Sequence, residues 1–153
     1  MSWLTPTADD LKTKLLPQVT AILTNYCAKT GASAEDVIGS ELTNAIREVR
    51  GYVAGNKENL LGEDGSIPDE LLTTTLIIAR HNLYSNLPGA KGLIDEELKG
   101  AFERAARQLR DVAAGTFKLV SPDTPSDKNI PRPKLVVISG NPRRNTRDTM
   151  ASL

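Results

Sequence analysis

His81 is the chain's single histidine and Cys27 its single cysteine. Between them they bound what side-chain chemistry the sequence can support. A hydrolase or transferase needs a nucleophile, a base and a group that orients the base. His81 stands inside a helical pattern with Arg80 beside it, and no second histidine completes a zinc pair of the H-E-x-x-H kind. Its expected role is structural, as a hydrogen-bonding residue on a helix. Cys27, between Tyr26 and Ala28 near a helix end, reads as a small buried hydrophobe. Alone it forms no intramolecular disulfide and no cysteine zinc cluster. The neighbouring carboxylates Asp69-Glu70 and Asp95-Glu96-Glu97 fall in first turns of expected helices, where the helix dipole accounts for them without catalysis. Gly62-Glu63-Asp64-Gly65 lacks the alternating oxygen ligands of a calcium loop. No G-x-x-x-x-G-K-[ST] stretch occurs, and Gly51 to Gly55 matches G-x-x-x-G by letter alone, at a helix end. The expectation is a non-enzymatic protein, with no cofactor and no metal, that acts by binding other proteins.

Charge narrows the partners. Lys plus Arg and Asp plus Glu number 19 each, a balance that argues against a dedicated nucleic-acid binder. The balance is uneven along the chain: residues 1–120 carry −3 and residues 121–153 carry +3. An acidic body with a basic tail is a polarised molecule, suited to association. Two arginine sets stand out, Arg104, Arg107 and Arg110 on a helix and Arg143, Arg144 and Arg147 in the tail. Either set can meet phosphates. Glu103 and Asp111 lie three or four residues from the helical set, so surface pairing is expected there.

The elements that must carry these residues are helical. Hydrophobic residues make up 39% and aromatics 4%, so the core is built from Leu, Ile, Val and Ala, which suits packed helices. Thr7 caps a first helix from Ala8, with Asp9 and Asp10 in its first turn and Leu11, Leu15 and Leu16 as its apolar face. Pro17 ends that helix or opens a second, faced by Val19, Ile22, Leu23 and Tyr26 and closed by Gly31. Ser33 with Asp36 forms an expected capping box for a third helix, whose face runs Val37, Ile38, Leu42, Ala45, Ile46, Val49, Tyr52 and Val53. A polar loop from Gly55 to Ser66 follows, and Pro68 is the expected first residue of a fourth helix. That helix carries Leu71, Leu72, Thr75, Leu76, Ile78, Ala79, Leu83 and Leu87 over an arc wide enough to be central. A fifth runs from about Ile94 to Ala114, with Gly115 past its end. The expected fold is mainly α: a compact bundle of four to five helices in a body of residues 1–118.

Beyond the body the composition changes. Residues 119–134 read as a Pro-rich linker. Residues 135–153 read as an extended arm holding a short strand, Leu135-Val136-Val137-Ile138. Four apolar residues on a basic tip do not bury themselves, so the arm is expected to order on a neighbour. The start shows no basic region followed by an apolar run, and no apolar stretch approaches the ~20 residues of a membrane span. A cytoplasmic site of synthesis and no membrane partner are expected.

The chain also resembles a known family. The residues that carry this are Thr5-Pro6-Thr7-Ala8-Asp9-Asp10-Leu11, the helices Leu42 to Val53 and Leu71 to Leu83, and Leu98 to Gly115 ending Leu109-Arg110-Asp111-Val112-Ala113-Ala114-Gly115. A Pro-containing tail then closes on Arg143-Arg144-Asn145-Thr146-Arg147-Asp148-Thr149-Met150. In this the chain is similar to the Mu-like phage head–tail adaptor (head completion, connector) proteins. The resemblance implies a helical, non-enzymatic virion protein at the head–tail interface. It implies a homo-oligomeric ring, generally of about twelve copies, that sits under the portal protein and passes DNA through its channel without sequence-specific binding. A tail terminator or stopper protein is the implied partner on the far side. The portal-binding residues implied are Leu135, Val136, Val137, Ile138, Arg143, Arg144, Arg147, Asp148 and Met150, and the Gly55–Ser66 loop would face the channel or the next tail component. The competing expectation is a small helical packaging or regulatory protein whose arginine tail binds nucleic acid.

Overall fold

The fold was obtained as a computed structural model, which describes residues 3–123 of the chain. Helix accounts for 67% of them, so the mainly α expectation holds. The expected linker beyond Asp123 and the whole arm, with its strand and its site residues, lie outside the described residues.

The body opens on β1 (Trp3–Leu4), then α1 (Ala8–Lys12), α2 (Pro17–Thr30) and α3 (Ala34–Gly55). It continues through β2 (Ile67–Pro68), a single 3-10 turn at Asp69–Leu71, α4 (Leu72–Asn86) and α5 (Glu96–Ala114). The α3, α4 and α5 helices pack on one another and hold most of the core. Helix α4 is the central one, meeting α3, α5 and α1. Its Leu76, Ile78, Ala79, Leu83 and Tyr84 are buried, together with Thr74 and Thr75. The two threonines are satisfied locally: Thr75 Oγ1 donates to its own helix at Leu71 O, and Thr74 Oγ1 bonds Gln108 Oε1 across to α5 at 2.6 Å. Helix α3 closes on α5 near its end, where a Cβ on Gly55 would meet Ala113 Cβ at 3.5 Å.

The helix boundaries follow local chemistry. Thr7 and Asp10 form a reciprocal capping box at α1. The same bonds, from the Thr7 backbone N–H first and its hydroxyl second, hold the Asp10 carboxyl below its ordinary value. Pro17 opens α2 as its first residue, and Gly31 and Gly115 close α2 and α5 in the left-handed conformation.

Three expectations are corrected. Helix α1 stops at Lys12, so Leu15 and Leu16 do not continue its face, and Leu16 is 43% exposed. Ser33 caps α3 by accepting from Glu35 N–H at 3.2 Å, one residue short of the Asp36 position a capping box requires. Pro68 does not start a helix: it lies in β2, paired antiparallel with Trp3. An N–H-free residue fits a two-strand ribbon, where one edge of each strand is unpaired. After α5, Leu119 packs against the core and Pro122 is buried.

Candidate functional site

The corner where the described chain ends is built from four parts of the sequence. Trp3 on β1 donates its indole Nε1–H to Val120 O at 2.9 Å, tying the N-terminal strand to the segment after α5. Under the indole lies Gly62, where a Cβ would come within 2.8 Å of both Trp3 Cε3 and Ser66 Oγ. Only glycine fits there without a shift of its neighbours.

The Gly62–Ser66 turn is organised by Arg50 of α3. One guanidinium nitrogen donates to Glu63 O at 2.8 Å and to Ser66 O at 2.5 Å, and the other to Gly62 O at 3.2 Å. Asp64 adds a carboxylate at 3.7 Å. The Arg50 side chain is 14% exposed, so these carbonyls are charge-assisted acceptors in a largely dry place. Ser66 Oγ donates to Glu63 O at 2.7 Å, and Asn59 Nδ2 donates to Val53 O. The stretch expected as a polar loop is therefore a fixed structure, with Leu61 packed on the core.

Two hollows open at this corner. One, of about 470 Å³, lies between Trp3, Leu4, Gly62 and Glu63 and reaches Pro122 and Asp123. The other is a groove of about 680 Å³ between the N-terminal segment Thr5–Ala8 and the α3 face of Gly39, Leu42, Thr43, Ile46 and Arg47, closed at one end by Arg50, Asp64 and Gly65. Thr5 borders both. Space beside Gly39 is open, since a Cβ there would meet nothing within 4 Å.

The residues singled out for chemistry lie elsewhere. His81 on α4 stacks on Phe102 of α5, ring centroids 4.0 Å apart and 20° between planes. Its Nδ1 is buried with no hydrogen-bond partner among the described residues, which corrects the expected hydrogen-bonding role. Burial holds the imidazole below its ordinary value, and a neutral ring packs as an aromatic. Cys27 is only half-buried. Asp95 stands at the N-cap of α5, accepting from Leu98 N–H at 2.7 Å, while Glu96 and Glu97 occupy the first turn. Asp69 and Glu70 fall in the 3-10 turn. Among the described residues no three of His, Cys, Asp and Glu are grouped to hold a metal ion, and no helix is long and apolar enough to cross a membrane.

The arginines of α5 overturn another expectation. Among the described residues Arg104, Arg107 and Arg110 make no ion pair. Arg110 Nε donates only to Ala106 O of its own helix. An exposed i, i+4 pair is worth about 0.5 kcal/mol at most, too little to hold long side chains together.

Sequence reasoning missed Arg50, Trp3 and Tyr84. Arg50 sits among charged and apolar helix residues with no mark of its own, and its acceptors are backbone carbonyls, which no sequence pattern displays. Tyr84 is buried and accepts from Leu16 N–H at 3.1 Å, fixing the start of α2. A lone tryptophan in an aromatic-poor chain was the one available signal for Trp3.

No curated protein and no solved structure matches the chain. The family model described as "Bacteriophage Mu, Gp36" matches residues 6–137. That span takes in all five helices and the chain beyond them as far as Val137. The chain therefore belongs to the bacteriophage Mu Gp36 family.

Proposed function

We propose that the chain is a structural head–tail adaptor of a tailed phage. Copies form a ring under the portal that extends the DNA channel and joins capsid to tail. Residues 135–153 act as the portal-docking arm, through Leu135, Val136, Val137, Ile138, Arg143, Arg144, Arg147, Asp148 and Met150. A tail terminator or stopper protein meets the other face, and the protein resides at the head–tail interface of the virion. The observation that carries this reading is membership of a Mu phage family whose match continues past the folded body into the arm. A polarised charge distribution supports it, because a ring closes through contacts between unlike patches. The test is light scattering of the purified protein alone and with a portal ring. A monomer that gains a mass of roughly twelve copies on the portal supports the adaptor; a protein that ignores the portal overturns it.

One observation favours a second reading, a nucleic-acid-binding packaging or regulatory protein. The three arginines of α5 are without ion pairs among the described residues and so are open to phosphates. In this reading binding to a DNA duplex weakens log-linearly with salt. An arm held through Leu135–Ile138 would keep its portal at the same salt concentrations.

A further inference from the structure

We propose that the cleft between α2, α3 and α4 is the seat of the α5 arginines of a second copy of this chain. The cleft has a volume of about 300 Å³, and its lining includes Tyr26 of α2, Asp36, Val37, Ser40 and Glu41 of α3, and Asn86 of α4. Tyr26 and Val37 are half-buried and Asp36 is exposed, so the wall offers water both apolar surface and charge. Glu41 Oε1 accepts from Asn86 Nδ2 at 3.0 Å. Among the described residues neither Asp36 nor Glu41 has an ion pair, and no basic side chain lines the cleft. Two unneutralised carboxylates beside an aromatic side chain favour arginine. Its stem lies along apolar surface, its guanidinium stacks on a ring, and its fork matches a carboxylate.

The complement is carried by the same chain but lies out of its own reach. Arg104, Arg107 and Arg110 are exposed and likewise form no ion pair among the described residues. They span about 9 Å along α5, and Asp36 and Glu41 are about 7.5 Å apart along α3, so the two charged sets are of similar length. Arg110 stands one turn before Ala113, which meets α3 at Gly55. Gly55 lies about 21 Å of helix rise beyond Glu41, farther than an arginine side chain extends. An acidic cleft near one end of α3 and a basic edge near the other therefore pair between molecules, head to tail. Such a contact between unlike patches closes into a ring or runs on as a filament. The inference deepens the adaptor reading, on which closure into a ring rests; the pairing itself rests on the two surfaces alone.

The experiment is analytical ultracentrifugation of the full chain at low salt with no portal present, so failure of this contact is distinguishable from failure to bind a portal. The expected result is concentration-dependent association that weakens as salt rises. Arg104→Glu, Arg107→Glu and Arg110→Glu together should raise the dissociation constant at least about tenfold, and so should Asp36→Lys with Glu41→Lys. A chain carrying both sets again opposes unlike charges and should recover most of the association. Thermal melts establish that each variant is folded. Where a reversal lowers the melt, Asp36→Asn with Glu41→Gln, or the three arginines replaced by Gln, reads the same loss at smaller size. A wild-type chain that stays monomeric to millimolar concentration overturns the proposal. So does a doubly reversed chain as dissociated as either parent. An α5 variant that loses affinity for a DNA duplex and keeps its self-association also overturns it, and assigns the arginines to nucleic acid.

Discussion

Arg50 on α3 and the arginines of α5 carry the same guanidinium and meet opposite fates. Arg50 is turned inward, donates to three backbone carbonyls and stands beside Asp64. Arg104, Arg107 and Arg110 project from the exposed side of an amphipathic helix and pair with no carboxylate among the described residues. The first charge is spent on architecture; the other three remain available to a partner. What separates them is the chain opposite. Carbonyls that turn inward at Gly62–Ser66 need donors, whereas a solvated carboxylate on the same helix offers an arginine almost nothing that water does not.

The contrast can be broken most directly at Arg50. Arg50→Ala should cost about 3 kcal/mol in urea unfolding, because it removes the charged donor from the carbonyls of Gly62 and Ser66 and one of the donors to Glu63 O. Arg50→Lys should recover less than half of that, since an ammonium cannot fork between carbonyls. Gly62→Ala attacks the same turn from the other side. It should cost about 2 kcal/mol and disturb Trp3, read as a shift in tryptophan emission.

A smaller effect is expected at the His81–Phe102 stack. Burial lowers the histidine's pKa in the folded state, so the unfolded chain takes up its proton first. The stability this group contributes is full above about pH 6.5, declines as pH falls below that, and flattens beneath the folded-state value. Melting temperatures at pH 7.5 and 5.5 should differ in that sense, and His81→Phe should remove that share of the difference. The smallest effect on the fold belongs to α5. Replacing Arg104, Arg107 and Arg110 together by Gln should change stability by about 0.5 kcal/mol or less per site. If the variant also loses salt-sensitive affinity for DNA, the open arginines are a nucleic-acid surface; if it loses affinity for a protein partner instead, they belong to an assembly interface.

Much of the body was legible because its signals are local. Thr7, Pro17, Gly31 and Gly115 each act within one helical turn, and the structure places helix ends where they stand. The apolar spacing of α3 likewise marks its buried face, from Ile38 to Val53. The larger misreadings are non-local. Pro68 has the chemistry of a helix start, and only Trp3, far away in sequence, makes it a strand. The corner around Trp3 and Arg50 was illegible for the same reason, since it joins residues 3, 50, 62 and 120, largely through backbone carbonyls. His81 was placed on the right element, but its partner on α5 and its unpartnered nitrogen depend on how two helices meet.

The bond from Trp3 to Val120 also gives the molecule a built-in optical reporter. The chain has one tryptophan, and its indole N–H is committed to the carbonyl three residues before the last described residue, Asp123. Emission from the whole protein is therefore emission from the place where the basic tail takes root. Any event that lifts that root exposes the indole to water and moves its colour. Such an event can then be followed in real time without attaching a dye.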